Sequence, residues 1–414
     1  MSDTPDTPSP PPFVSSEGAT FEARLKANLR TLSWLDAGRV RVYAAMILVA
    51  YIPMMVKVFR EATGTVGSDF LAFWGAGRLL QTGPAARVYD LVAEHAAQMA
   101  AGTGQMVAYV NPPPYLFLAA PLGLLPYAAA WLVWALSGWT VWFLVARRAL
   151  PNAGAAGTLA VLAFPAAYLA ASHAQNGFVT GALLIAAVLT LRRSQALSGA
   201  LFGLLVIKPH LALLVPFWLA AGRKWTAIAA AAASAAALCL ASLLVFGIDT
   251  WRAYPQSFAA SQTLMAQTSS EFFLRMSTPY AALRVLFGTN VALYGQAVIT
   301  VITGALACLY WRRAPSDEAA GAMLLAATAL ASPYLFSYDL PFLIMPIAFL
   351  IGMGRSMGWR PWEKFLLVLI WLSPLATRAA ALPLRINLMP LFAAILVGLV
   401  WTTWAPQKPS PAPE

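Results

Sequence analysis

The amino-acid sequence predicts an all-α polytopic membrane protein, and three observations support this fold class. Hydrophobic residues make up 60% of the chain and charged residues only 10%, which gives a mean hydropathy of +0.68, well outside the range of soluble domains. Apolar stretches long enough to cross a bilayer recur from residue 42 to the C-terminal tail. Basic residues form short clusters between these stretches, as in the cytoplasmic loops of membrane proteins. The net charge of +11 therefore does not indicate nucleic-acid binding.

The two ends of the chain differ in composition from the apolar middle. The first 20 residues are rich in Pro, Ser, Thr and Asp and show no cleavable signal peptide. We expect residues 1–38 to form a disordered, cytoplasmic N-terminal segment and residues 405–414 a loose cytoplasmic tail. Residues 39–404 then form the transmembrane domain. Its two cysteines, Cys239 and Cys308, lie inside apolar segments and are expected to be core residues.

The first span is predicted at 42–60, with the basic residues before it on the cytoplasmic side. Residues 61–110 follow as an outer segment of mixed polarity. The apolar stretch 112–146 is too long for one span, so it contains either an interfacial helix followed by a span or a short hairpin. The basic pair Arg147-Arg148 favours the first solution, because it should face the cytoplasm.

Charge parity orders the middle of the chain. A span at 155–173 leads outward, and the next returns to the pair Arg192-Arg193. A single span over 195–222 would place the next basic pair outside. Two short halves that meet at Lys208–His210 restore the parity, and Pro209 would break the helix there.

The remaining segments bring the predicted count to about 12 transmembrane helices with both termini in the cytoplasm. A second outer segment is predicted at 248–289. The later spans are predicted at 226–247, 291–310, 319–336, 340–353, 364–382 and 387–404.

Few carboxylates fall on the outer side, which limits the candidates for acid–base chemistry. They are Glu61, Asp69, Asp90, Glu94, Asp249, Glu271 and Asp339. Asp69 precedes a helical pattern in which Phe70, Phe73, Trp74 and Gly77 share one face, expected to meet the lipid interface. The face with Asp69 otherwise carries only small side chains. Asp69 there either meets a ligand or, with Ser68, caps the helix.

Several short motifs resemble those of one enzyme family, in the same order along the chain. The first contains Asp69-Phe70, Trp74, Ala76-Gly77, Leu80, Gly83 and Tyr89-Asp90. The others are Asn111-Pro112-Pro113-Pro114 with the stretch 121–126, Gln175-Asn176, Lys208-Pro209 and Ser332-Pro333. These motifs, which span most of residues 68–340, are similar to those of glycosyltransferase family 87, the polyprenyl-phosphate-mannose-dependent mannosyltransferases. The resemblance implies a C-type glycosyltransferase fold, with interfacial helices in the first outer loop.

The resemblance also implies an active site around Asp69, which corresponds to the family's catalytic carboxylate. Inverting sugar transfer needs a general base for the acceptor hydroxyl and positive charge for the departing phosphate. The candidate phosphate-binding residues are Lys208, His210 and Arg275. The candidate sugar- or acceptor-binding residues are Arg78, Asn111, Gln175, Asn176, Tyr338 and Asp339.

Several of these candidates have a structural alternative. Lys208 would otherwise be a snorkelling lysine, His210 a packed core residue and Arg275 a solvated surface residue. Helix capping by Asn176, with Gly177 next, explains Gln175 and Asn176 almost as well as sugar binding does. The loop that ends in Tyr338-Asp339 departs from many relatives, which have a histidine there, and this leaves a histidine-dependent step and mannose as the sugar open.

The resemblance implies a hexosyltransferase, with mannose as the expected sugar, that uses a polyprenyl-phosphate sugar donor. The acceptor would be a lipid-linked or envelope glycan at the periplasmic face of a bacterial inner membrane, with membrane lipids around the protein and no cofactor, metal or nucleic acid. The chain has no glycine-rich phosphate loop, which argues against a nucleotide-driven transporter. A transporter or flippase for lipid-linked glycans is the main alternative, although the expected repeated halves are not found. A non-catalytic scaffold, in which Asp69 is replaceable, is the third.

Overall fold

A computed structural model of the protein describes residues 20–150, 152, 154–267 and 271–403. Within these ranges the chain is helical, and its β-type pairing is limited to an isolated antiparallel bridge between Met276 and Phe336. The predicted all-α polytopic membrane fold is confirmed. The tail at 405–414 and the first 19 residues lie outside the described residues.

The N-terminal segment contains a helix where disorder is predicted. Helix α1 (Phe21–Thr31) is followed by the first span, α2 (Ala37–Ala62). Local capping explains both starts, because the side chains of Thr20 and Asp36 accept backbone N–H groups of the first turns. The prediction of disorder for residues 1–38 is therefore wrong over α1.

Short helices that bury one another form the first outer segment. They are α3 (Leu71–Thr82), a 3-10 helix (Ala85–Tyr89), α4 (Leu91–Met99), a 3-10 turn (Pro113–Tyr115) and α5 (Leu116–Leu122). Phe70, Phe73 and Trp74 are at most 4% exposed and contact aromatic rings that include Trp134. The prediction that this face meets the lipid interface is wrong. Helical spacing predicts that one face of a helix is apolar, but it does not tell whether lipid or protein covers that face.

The long apolar stretch resolves into a short helix followed by a span, α6 (Tyr127–Ala146), and not into a hairpin. The next span breaks into two helices, α7 (Gly154–Leu162) and α8 (Pro165–Ser172), because Pro165 cannot continue α7. Helix α9 (Gly177–Thr190) returns from the outer end.

The predicted pair of short halves is present and meets at Lys208. Helix α10 (Gln195–Gly203) runs into a 3-10 turn, and a second 3-10 turn leads into α11 (Val215–Ala221). Lys208 itself has a non-helical backbone with φ −150° and ψ 71°. Pro209 follows it, so the helix break lies where the sequence places it.

The rest of the chain consists of long spans, the second outer segment and a bundle of buried helices. In order they are α12 (Trp225–Phe246), α13 (Ile248–Gln267), α14 (Glu271–Arg275), α15 (Pro279–Phe287), α16 (Thr289–Tyr310), α17 (Asp317–Ala331), a 3-10 helix (Ser337–Leu343), α18 (Ile344–Met357), α19 (Glu363–Leu384) and α20 (Met389–Thr402).

In the described residues, seven helical stretches are long and apolar enough to cross a membrane. They are α2, α6, α7 with α8, α12, α16, α18 with its 3-10 helix, and α19. Every other predicted span has a shorter helical counterpart, so about 12 crossings stay a prediction. In the described residues the core consists of one large cluster around α9 and α17, a second, aromatic-rich cluster around α3 and α6, and a small third cluster of Met276, Ala281 and Phe336.

Candidate active site

A buried ion pair lies at the break between the two short halves. The Lys208 ammonium contacts the Asp339 carboxylate, and these residues are 7% and 0% exposed. The second Asp339 oxygen accepts the Phe336 backbone N–H at 3.1 Å. A charge buried this deeply requires a partner, so each residue of the pair depends on the other for its place in the fold. The snorkelling alternative for Lys208 does not apply.

Asn176 extends this pair into a polar network. Its side-chain oxygen accepts a hydrogen bond from Lys208 at 2.8 Å, and its amide nitrogen donates to Asn111 at 3.5 Å. The Asn111 carbonyl in turn accepts the Tyr89 hydroxyl at 2.8 Å. Asn176 stands at the start of α9, but within the described residues its side chain makes no capping hydrogen bond. The network therefore holds five separate chain segments together.

Glycine after Asn176 is explained by a close backbone approach. A Cβ atom at Gly177 would lie 1.9 Å from the Tyr338 carbonyl oxygen. The loop that carries Tyr338 and Asp339 therefore rests directly on the first turn of α9, with no room for a side chain. This contact sets the position of Asp339 opposite Lys208.

Asp69 lies half-buried at the start of α3, and among the described residues no side chain caps that helix. Ser68, the other capping candidate, exchanges a hydrogen bond with the Tyr127 hydroxyl at 3.2 Å. The Asp69 carboxylate instead makes polar contact with the Tyr338 side chain and interacts electrostatically with Tyr334. The structure thus directs Asp69 toward the loop of Tyr338 and Asp339, which are candidate sugar- or acceptor-binding residues.

Tyr338 connects Asp69 to the buried ion pair. Its ring stacks on Phe336 at 5.1 Å between centroids and lies 5.3 Å from the ring of His173. The Lys208 ammonium sits 5.9 Å from the same ring on its face. A hydroxyl held this way can orient the carboxylate that it contacts.

Two arginines accompany Asp69 and Tyr338, and one of them interacts with both. Arg275 is exposed at the end of α14, and Arg378 is half-buried in α19. Arg378 interacts electrostatically with Arg275, Asp69 and Tyr338. Sequence reasoning missed Arg378, although an arginine inside an apolar span is itself a signal of function.

The remaining candidates differ in how close they come to this group. The His210 ring packs edge-on to Tyr334 at 5.7 Å, and its buried Nε2 has no hydrogen-bond partner among the described residues. Gln175 is half-buried, and its side-chain oxygen accepts the neighbouring Asn176 N–H at 3.4 Å. Arg78 lies in the second half of α3, two turns beyond the start of the helix, and donates to the Gly123 carbonyl at 3.4 Å. The structure therefore does not bring Arg78 into the group.

The described residues contain no cluster of three or more histidine, cysteine, aspartate or glutamate side chains in metal-binding positions. The cluster around Asp69 instead offers one carboxylate, a tyrosine hydroxyl and two guanidinium groups. This set suits proton transfer and the binding of an anion.

The comparisons with known proteins give one match. The model of glycosyltransferase family 87 matches residues 109–333, a range that includes Asn111, Asn176, Lys208 and Arg275 and ends before Tyr338. No curated protein and no solved structure matches the chain. Because the family model spans more than half of the chain, the protein belongs to glycosyltransferase family 87.

Proposed function

We propose that this membrane glycosyltransferase moves a hexosyl unit, with mannose as the expected sugar, from a polyprenyl-phosphate donor to an envelope glycolipid or glycan. The reaction would take place at the periplasmic face of a bacterial inner membrane and invert the anomeric centre. The observation that carries the proposal is that Asp69 interacts with both Tyr338 and Arg378 at the predicted outer side.

Asp69 is the proposed general base. Its side chain is not used for helix capping, and it is half-buried beside polar groups of two other segments, Tyr338 and Arg378. In the reaction the acceptor O–H bond breaks and its proton moves to Asp69. The acceptor oxygen bonds to the anomeric carbon, and the bond from this carbon to the phosphate oxygen breaks with its electron pair on the phosphate. Base catalysis of this kind contributes typically ~10²–10⁴-fold in rate.

The predicted phosphate-binding residues take different roles on the evidence of their contacts. Lys208 already forms an ion pair with Asp339 and a hydrogen bond with Asn176, so we propose that it holds the loop of Tyr338 and Asp339 in place. His210 lies next to Lys208 and Tyr334 at the edge of the site. Arg275 is exposed and, in the part of the chain that the structure describes, forms no ion pair within 4 Å, so it keeps the proposed role toward the phosphate.

The sugar and the acceptor are proposed to lie between Asp69 and the polar network. Asn111 and Tyr338 present polar groups at this boundary, while Asn176 and Asp339 support them from below through Lys208. Gln175, half-buried in the same loop as Asn176, is the remaining candidate for a sugar hydroxyl. The prenyl tail would lie between the lipid-facing helices.

The test compares purified wild-type protein with Asp69→Asn on a panel of polyprenyl-phosphate sugars. The matched control is Asp249→Asn, because Asp249 is a carboxylate of the second outer segment, 79% exposed and paired only with Arg252 at 3.1 Å among the described residues. We expect turnover by wild type and the control, and a loss of at least 100-fold in Asp69→Asn with unchanged thermal stability. Equal rates for Asp69→Asn and wild type would remove Asp69 from the mechanism, and transbilayer movement of the donor without transfer would indicate a transporter.

A further inference from the structure

We infer that Arg378 and Arg275 together bind the phosphate group of the prenyl-phosphate donor and of the prenyl-phosphate product. The inference rests on the proposed function, which it deepens by naming a phosphate-binding residue, Arg378, outside all the candidates drawn from the sequence. The ligand chemistry is a phosphate ester attached to a single apolar chain.

The position of Arg275 is set by its neighbour in the chain. The Met276 backbone pairs with Phe336 in the isolated bridge and accepts a hydrogen bond from the Asn387 side chain at 2.7 Å. One residue further, the Ser277 N–H donates to the Leu335 carbonyl at 2.7 Å. These bonds attach the end of α14 to the loop that precedes Tyr338. Arg275 is therefore held at the edge of the site even though its side chain is exposed.

Arg378 reaches the same place from inside the membrane domain. It is half-buried in α19, a helix whose length and composition suit a span. Pro374, one turn earlier, cannot bond the Ile370 carbonyl, and the Ser373 hydroxyl takes that carbonyl at 2.8 Å instead. The helix thus continues past the proline and presents Arg378 near its predicted outer end. An arginine at such a position is costly unless it meets an anion or water.

No protein group that the structure describes neutralises the two guanidinium groups. Neither lies within 4 Å of a carboxylate in the described ranges, where the ion pairs of this size use other basic residues. They also repel each other, because they are like charges in electrostatic contact. Asp69 is a carboxylate that interacts electrostatically with Arg378, and its proposed role as the general base requires it to face the acceptor. The pair is thus arranged to receive an external anion.

The charges of the proposed reaction match this pair. Before transfer, the single negative charge of a sugar phosphodiester and that of Asp69 balance the two arginines, while Lys208 and Asp339 cancel each other. When the proton moves to Asp69 and the electron pair to the phosphate, the product prenyl phosphate carries up to two negative charges. Both then face the two guanidinium groups. Guanidinium groups bind phosphate oxygens in a bidentate geometry, which suits a departing phosphate.

The test measures binding of a short-chain prenyl phosphate to the full-length protein in detergent, without sugar or acceptor. We expect Arg378→Gln to weaken this binding at least tenfold, Arg378→Lys to weaken it less, and Arg252→Gln, an exposed outer arginine outside the site, to leave it unchanged. Thermal stability of each variant checks the fold. Equal affinity of wild type and Arg378→Gln, or no binding by the wild type, would overturn the inference.

Competition experiments separate the possible sources of the phosphate. Inorganic phosphate should compete weakly and in an Arg378-dependent way, since it shares the head group but lacks the prenyl chain. Competition by phosphatidylglycerol as strong as that by prenyl phosphate would show a general lipid head-group site and overturn the inference. Prenyl-phosphate binding that depends on Arg378, in a protein that transfers no sugar from any donor, would refute the proposed function and leave the phosphate site standing.

Discussion

Neutralising Lys208 alone should be strongly destabilising, because it leaves Asp339 with a buried charge and no counter-ion. Lys208→Met removes the ammonium from a pair in which the two residues are 7% and 0% exposed. Breaking a pair at this depth costs roughly 3–5 kcal/mol. Asn176 loses a hydrogen bond in the same variant, which adds about 1 kcal/mol. Asp339→Asn leaves the converse defect, an unpaired buried ammonium, and should cost a similar amount.

The double variant Lys208→Met/Asp339→Asn distinguishes a structural pair from a phosphate ligand. It removes both charges, so its free energy of unfolding should exceed that of either single variant. The matched control is Lys224→Met, since the side chains of Lys224 and Asp317 form a pair at 2.8 Å but are 17% and 18% exposed. That control should cost on the order of 1 kcal/mol.

Two measurements check this reasoning: denaturant-induced unfolding of the purified variants and the KM for the donor. We expect the refolded double variant to keep a donor KM within a few-fold of wild type, because Lys208 is assigned to position and not to phosphate binding. The reasoning is refuted if the two single effects simply add in the double variant, or if the double variant folds but its donor KM rises tenfold or more.

Two further predictions concern backbone contact and pH. Gly177→Ala places a methyl group 1.9 Å from the Tyr338 carbonyl oxygen and should cost at least about 1–3 kcal/mol of stability. The control Gly398→Ala, whose Cβ meets no described atom within 4 Å, should be neutral or stabilising. Equal melting temperatures for the two variants would contradict this prediction. Burial raises the pKa of Glu94 from 4.5 to about 8, with a smaller contribution from Asp90. The folded state therefore keeps the Glu94 proton while the unfolded state loses it, so the free energy of unfolding falls as pH rises from 4.5 to 8. Glu94→Gln should remove this loss, which amounts to roughly 5 kcal/mol at most. A difference in the free energy of unfolding between Glu94→Gln and wild type that stays constant from pH 5 to pH 8 would disprove the prediction.

The sequence predicts the order of helices well because charge parity is a long-range constraint. The break at Lys208 follows from the predicted sidedness of the basic pairs along the chain and from Pro209, which acts locally on the helix. The sequence does not predict that α3 is enclosed by protein. Aromatic residues at helical spacing are equally suited to lipid and to a protein core, so only the tertiary packing of α4, α5 and α6 decides this.

The candidate site was predictable where a motif marks it and not where distant segments meet. Asp69, Asn111, Asn176 and Lys208 come from motifs, and the structure brings the last three into one hydrogen-bonded network. The pairing of Lys208 with Asp339 spans 131 positions and has no local signature.

Arg78 and Arg378 show the two ways in which reasoning from residues fails. Arg78 lies within a motif, yet its helix carries it away from Asp69 toward the Gly123 carbonyl. Arg378 lies outside every motif, yet its cost within an apolar helix was readable from the sequence. A charge that is expensive in its surroundings was thus the better guide to the site than membership of a motif.

The location of the site follows from where the helices stop. The backbone is non-helical at Asp69, at Lys208 and in the loops before α9 and before the Ser337–Leu343 helix. In a membrane, unpaired backbone is tolerated only where protein buries it or where it lines a polar cavity. The buried pair of Lys208 and Asp339 meets this requirement internally, with Asp339 also accepting a backbone N–H group. The two arginines do not, since no described carboxylate lies within 4 Å of them, and this asymmetry supports the proposal that the phosphate binds there.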